Sequence, residues 1–138
     1  MFRLAAQLLA FRLTYRELPV ANGVTISYGD VVKLTNGEFS LCASGETPFG
    51  VCKTRGDSVG NAAGTVLIEA ILAHGVLWEA DQGALTDAAT QPGDTLDINA
   101  TSDGLAASNN IDFKVYDVDR TANTVTGFFG TNQTGFPF

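Results

Sequence analysis

Between Val24 and Ala80 the chain alternates short apolar runs with glycine turns, and this rhythm constrains the fold more than any other feature. The runs are rich in Val, Ile, Leu and Phe, and they recur about every eight to twelve residues. Between them stand Tyr28-Gly29-Asp30, Asn36-Gly37, Ser44-Gly45-Glu46, Arg55-Gly56-Asp57 and His74-Gly75. The spacing predicts an all-β domain, a small β-barrel or β-sandwich. Asn36-Gly37 is the strongest hairpin signal, because both residues tolerate positive φ. Val24, Ile26 and Tyr28 alternate with polar neighbours as a strand would, and Val31 to Thr35 forms the next. Phe39, Leu41 and Ala43 continue on alternate positions. Pro48 stands at the edge of a strand through Cys52, where proline costs the sheet no hydrogen bond.

Asp57–Gly64 reads as a loop. The apolar run Thr65–Leu72 is rich in β-branched residues, which favours buried strand over helix. Val76–Ala80 follows with Trp78, expected in the core with its N–H satisfied. Asp81–Asn110 changes character, being polar and dense in small residues, and is expected to be a long loop anchored by Leu85, Leu96 and Ile98. Alternation resumes from Ile111 to Val118, and Thr124–Phe129 gives a last strand. The tail ends in Phe136 and Phe138, aromatics suited to a neighbouring subunit or to folding back.

Residues 1–16 lie outside this rhythm and admit two readings. Leu4, Leu8 and Phe11 fit the rows of a short amphipathic helix, whereas Phe11, Leu13 and Tyr15 fit a strand beginning near position 10. The segment is expected to be a docking arm or a first element covering the domain's open end, with residues 17–138 forming one β domain that carries loop 81–110. A chain of 138 residues buries enough apolar surface to fold without staples. The run LAAQLLAF is too short to span a membrane, and Gln7 and a missing cleavage site argue against a signal peptide. The chain therefore reads as made in the cytoplasm.

The net charge of −7 is unevenly placed, with +2 over residues 1–55 and −9 over residues 56–138. An acidic body repels phosphate, so nucleic acid is not the expected partner. Cys42 and Cys52 flank the turn Ala43–Val51 and would face each other if bridged. Two buried apolar thiols are the favoured reading over a disulfide. No cofactor or metal is expected, since Cys-x9-Cys with one histidine is not a zinc pattern. Asp112, Asp117 and Asp119 lack the glycine and glutamate of an EF-hand loop. His74 has no recognisable nucleophile partner, and Asn99 and Asn132 are glycosylation sequons only in a secreted chain. No enzymatic activity is expected.

The order of these signals resembles the small capsid cement, or head decoration, proteins of tailed bacteriophages. The likeness begins at LPVANGVTISYGDVVKL and continues through NGEFSLCASGETPFGVCK. It extends to VLWEADQGALTDAATQPGDTLDINATSDGLAASNNIDF, covering roughly residues 17–129. The resemblance implies a β-barrel or β-sandwich without catalysis that binds the outer surface of an icosahedral head, stabilising it by bridging major capsid protein subunits. It implies a virion location on the capsid surface, and the chain itself is a further expected partner as a homo-oligomer. It assigns no residue a role. From its basic, apolar character the terminus supplies the candidate capsid contacts: Phe2, Arg3, Leu8, Arg12 and Arg16. A host- or glycan-recognition module on a virion is the alternative, and it requires an exposed aromatic cluster drawn from Trp78 and the C-terminal phenylalanines.

Overall fold

Asn36 and Gly37 take φ values of 53° and 81°. Positive φ at both central residues makes the hairpin turn that matches strand twist, and it joins β3 (Val31–Thr35) to β4 (Glu38–Leu41) in the register Thr35↔Glu38. The computed structural model describes residues 1–7, 15–54, 66–73, 76–81, 90–106 and 112–130. Among them the fold is all-β, with no helix. The remaining strands are β1 (Phe2–Gln7), β2 (Tyr15–Pro19), β5 (Gly50–Cys52), β6 (Leu67–Leu72), β7 (Val76–Asp81), β8 (Thr95–Ile98), β9 (Leu105–Ala106), β10 (Phe113–Asp119) and β11 (Thr124–Phe129). Six form one sheet in the order β1-β7-β11-β10-β8-β9, and five form another in the order β2-β6-β5-β3-β4.

The five-stranded sheet curls. Val20, just past β2, bridges Phe39 of β4, and Ala21 N–H donates to Phe39 O at 2.9 Å. The two edge strands thus meet, and Val20, Ile26, Val32, Phe39, Cys52, Ile68 and Ala70 fill the interior. Gly50 permits the curl at its tightest point, because a Cβ there would lie 2.4 Å from the carbonyl oxygen of Ile71. Val31, Val51 and Cys42 face the other way, toward the six-stranded sheet, and join a second core with Phe2, Trp78, Phe113 and Phe129.

That second core is aromatic. Phe2 from β1 lies 5.0 Å from Phe129 and 5.9 Å from Phe113, centroid to centroid, and Trp78 lies 6.2 Å from Phe129. Tilted ring pairs at such spacings add to the area they bury. The Trp78 indole donates to Ala73 O at 2.9 Å, as its burial requires. Close packing of β10 on β11 needs Gly127, where a Cβ would sit 2.1 Å from Lys114 O.

Buried polar groups tie the two sheets together. The Asp112 carboxylate, 2% exposed, accepts from Gly45 N–H in the loop after β4 and from Ile98 N–H in β8, each at 3.0 Å. Ser102 stands at φ 61°, which serine rarely adopts. Three bonds hold it there: its hydroxyl donates to Cys42 O at 2.7 Å, its carbonyl accepts from Val31 N–H at 2.8 Å, and its N–H donates to Asn99 O at 3.1 Å.

Four expectations change. The N-terminal segment is strand over Phe2–Gln7 rather than helix, and β2 spans the expected boundary at residues 16/17. Val24–Tyr28 is not a strand. It lies between Gly23 and Gly29, both at positive φ, and drops Ile26 into the barrel interior as a plug. Within the expected 81–110 loop, β8 and β9 are part of the six-stranded sheet, with Leu96, Ile98 and Leu105 buried. In β10 the register shifts between Val115 and Asp117, so Val118, not Asp117, packs on the core. Leu85, Phe136 and Phe138 lie outside the described residues.

Replacing Phe2 by alanine should cost about 3–5 kcal/mol, as for other buried aromatics. Leu4→Ala, at a position 39% exposed, should cost under about 1 kcal/mol. Urea unfolding of both variants checks this. Similar losses at the two positions would show that Phe2 is not a core residue.

Candidate functional site

The outer face of the six-stranded sheet carries the most ordered arrangement of charge. Directly opposed residues on antiparallel strands share a face, so the register places side chains in rows. One row runs Arg3–Glu79–Thr126–Asp117 across β1, β7, β11 and β10. The next runs Asp81–Thr124–Asp119. Four carboxylates thus stand in these two rows with one guanidinium at the β1 edge, and Lys114, opposite Phe128, follows on the row beyond Thr126.

Arg3 bonds both nearest acids, with Nε 2.9 Å from Glu79 Oε1 and an Nη 3.0 Å from Asp81 Oδ1. The bond to Asp81 chiefly raises the pKa of Arg3, and the same bond lowers that of Asp81. The far acids have local tasks. Asp117 accepts from Val118 N–H at 2.9 Å, and Asp119 accepts from Thr121 and Ala122 N–H at 2.9 Å, shaping the β10–β11 turn. With Asp112 buried between the sheets, these three aspartates do not converge. Among the described residues no group of three or more His, Cys, Asp or Glu is placed to hold a metal.

The candidate capsid contacts separate. Phe2 is 1% exposed and belongs to the aromatic core, so its expected contact role is overturned: its ring is consumed in packing. Arg3 is at the surface but tied to its own sheet. Arg16 on β2 is exposed, opposite Ala70. Leu8 and Arg12 lie outside the described residues, as do His74, Asn132 and the Arg55-Gly56-Asp57 tripeptide.

Cys42 and Cys52 are both free and buried, as the thiol reading expects. They cannot bridge, because β3 lies between their strand positions and they face opposite sides of the curled sheet. Cys42 joins the inter-sheet core and Cys52 the barrel interior. Burial pushes the Cys42 thiol up to about 12, helped by the Glu46 and Asp112 charges, and the Cys52 thiol up to about 11.

Trp78 is 1% exposed and offers nothing to a ligand, while Tyr116, on the β10 bulge, is 62% exposed. Asn99 braces its loop, accepting from the N–H groups of Thr101 and Asp103 at 3.2 and 3.1 Å. The acidic rows were not foreseen. Their signal is the alternation of Glu79 with Asp81 and of Asp117 with Asp119, visible only once strand order is known. No protein-family model, curated protein or solved structure matches the chain.

Three outcomes follow from these groups. Asp81 is lowered by its bond from Arg3, and Asp103 by bonds from Thr101 and Asn99. Glu46 is lowered although burial opposes it, because Lys33 and the Ala43 N–H outweigh that cost. A depressed folded-state pKa means stability that is present above the ordinary carboxylate range and lost as pH falls through the folded value. The urea midpoint should therefore drop as pH falls below about 4. Arg3→Gln should cost under about 1 kcal/mol at pH 7, after screening, and the gap to wild type should close as pH falls through the lowered folded-state value of Asp81. A gap that widens in acid would contradict the Arg3–Asp81 assignment. An aromatic disulfide reagent should label neither thiol in the native protein at neutral pH and both after unfolding; fast native labelling would contradict their burial.

Proposed function

We propose that the protein is a structural component of a virion that binds the outer surface of an icosahedral phage head and stabilises it by bridging major capsid protein subunits. One observation carries this reading. The residues of the first two stretches behind the family resemblance form a single structural unit rather than scattered turns. Gly29, at φ +89°, and Asp30, accepting from Ser27 N–H at 2.8 Å, launch Val31 and Val32 into β3. Asn36-Gly37 turns the chain into β4, and Gly50-Val51 packs β5 between β3 and β6. The shared motifs are the backbone conditions for closing the barrel.

A shell under internal pressure yields at the junctions between subunits. A rigid binder spanning two subunits adds its interface energy to each junction. A contact of about 800 Å² per partner suffices, because many copies act on an immobilised, repeating array. The curled barrel with its sheet-to-sheet hydrogen bonds supplies a rigid body. The acidic outer face suits a surface that stays soluble in the virion and has no affinity for nucleic acid. The expected role needs no catalysis, and Asp30, Glu46, Asp81 and Asp112 all serve hydrogen bonds that brace the fold. With Phe2 in the core, the proposed shell contact lies at Leu8 and Arg12, between β1 and β2, and at exposed Arg16 of β2. Glycan recognition is the weaker reading, since Trp78 is interior and Tyr116 is the one exposed large aromatic among the described residues.

The test is co-sedimentation with heads assembled from the major capsid protein encoded in the same genome. Deleting residues 1–16 would remove Phe2 and break the fold, so Arg12→Glu with Arg16→Glu is the appropriate variant. Wild type should pellet with heads, and the double variant should lose at least about tenfold in affinity, equivalent to about 1.4 kcal/mol. Wild type left in the supernatant would overturn the proposed function. Equal pelleting of the double variant would overturn the basic segment as the contact.

A further inference from the structure

The dipeptide Asn-Gly occurs twice, at Asn22-Gly23 and Asn36-Gly37, and both copies stand exposed in turns. Asparagine before glycine is open to intramolecular attack, because glycine has no side chain to crowd its own nitrogen. A Cβ at either glycine would meet nothing within 4 Å, so room is equal at the two sites. The backbone around them is not. Asn36 and Gly37, at φ 53° and 81°, form the two-residue loop of the β3–β4 hairpin. Their neighbours Thr35 and Glu38 pair directly, and Leu34 pairs with Phe39, which is fully buried. In the other turn Gly23 alone takes positive φ, +77°, and Val24 N–H donates to Ala21 O at 3.2 Å. That is a type II turn, and it closes no ladder. Ala21 keeps its own bond to Phe39 O, and no strand runs from Val24 to Tyr28.

Attack requires the glycine nitrogen to eclipse the asparagine Cβ across the Cα–C bond. Neither turn type holds it there, so each site must open to react. Opening the Asn22 turn breaks one backbone hydrogen bond. Opening the Asn36 turn unpairs the hairpin and disturbs Phe39 in the barrel interior. We propose that Asn22 is a site of spontaneous deamidation in the folded protein, and that the β3–β4 hairpin protects Asn36 from the same reaction.

The Gly23 nitrogen attacks Cγ of Asn22, and the Cγ–Nδ2 bond breaks. The Gly23 amide proton leaves with Nδ2 as ammonia, and a cyclic imide remains. Water then adds to one of the two ring carbonyls. Addition at Cγ leaves aspartate, while addition at the backbone carbonyl leaves isoaspartate, whose main chain runs through Cγ and gains a methylene. Either product adds one negative charge, and water is the single co-reactant. Asn22 lies between Val20, which closes β2 on β4, and Ile26, which fills the barrel interior. The new carboxylate therefore stands at the seam of the curled sheet. The inference is independent of head binding.

The test holds the full chain at mildly alkaline pH, once folded and once in urea, and follows the peptides around both sites by mass spectrometry. Labelling by an isoaspartyl methyltransferase confirms the isoaspartate product. In the folded protein, conversion at Asn22 should run within about tenfold of its rate in urea, since one hydrogen bond guards it. Conversion at Asn36 should be at least about a hundredfold slower than in urea, because the hairpin opens only with its sheet. Asn22→Gln, whose longer side chain closes its ring far more slowly, should remove the acidic species that accumulates in the folded protein. Asn36→Gln should leave that species in place. Asn22 left intact in the folded protein while it converts in urea overturns the inference. So does folded-state conversion at Asn36 as fast as at Asn22, or an acidic species that Asn22→Gln leaves unchanged.

Discussion

The burial of the Phe2 ring is the contact on which the arrangement of both sheets turns. It lies within 6 Å of Phe113 and Phe129, completing an aromatic cluster drawn from β1, β7, β10 and β11. Its backbone N–H bonds Gly29, at the entrance to β3, so one residue links the six-stranded sheet to the curled one. Once Phe2 is inside, Arg3 must face out beside Glu79 and Asp81. The alternation of a strand allows no other choice.

Asp112 and Ser102 make the second link. A buried carboxylate is costly unless its oxygens are bonded, and both oxygens of Asp112 are, one to each sheet's structure. The sheets therefore meet through a directional contact beside the aromatic one, which restricts them to one relative placement. A protein proposed to bridge subunits of a strained shell gains from such rigidity, since a body that flexes transmits less of its interface energy.

Much of this was legible in the residues. Asn36-Gly37, the Thr124–Phe129 strand, the core place of Trp78 and the all-β class all follow from local chemistry and period. Elsewhere the local signal misled for physical reasons. Val24, Ile26 and Tyr28 alternate, but the glycines on either side bend the segment away, and only Ile26 is needed inside. Leu96 and Ile98 form a real strand, hidden by Asp97 and by the small polar residues around it. Leu4, Leu8 and Phe11 fit one face of a helix, and only the waiting edge of β7 makes Phe2–Gln7 a strand. The candidate surface was the least legible part. The rows of Arg3, Glu79, Thr126 and Asp117 arise from strand order, which no single segment encodes.

Residues 1–16 admitted a docking arm or a first element, and the structure places Phe2–Gln7 in the six-stranded sheet with Phe2 in the core. Amide hydrogen exchange tests this most directly. The Phe2 and Arg3 amides, bonded to Gly29 and to the β7 ladder, should exchange as slowly as those of Glu79 and Val125, through global unfolding. Phe2 and Arg3 amides exchanging near unprotected rates, while β7 and β11 stay protected, would show that β1 is a loose arm and contradict its place in the core.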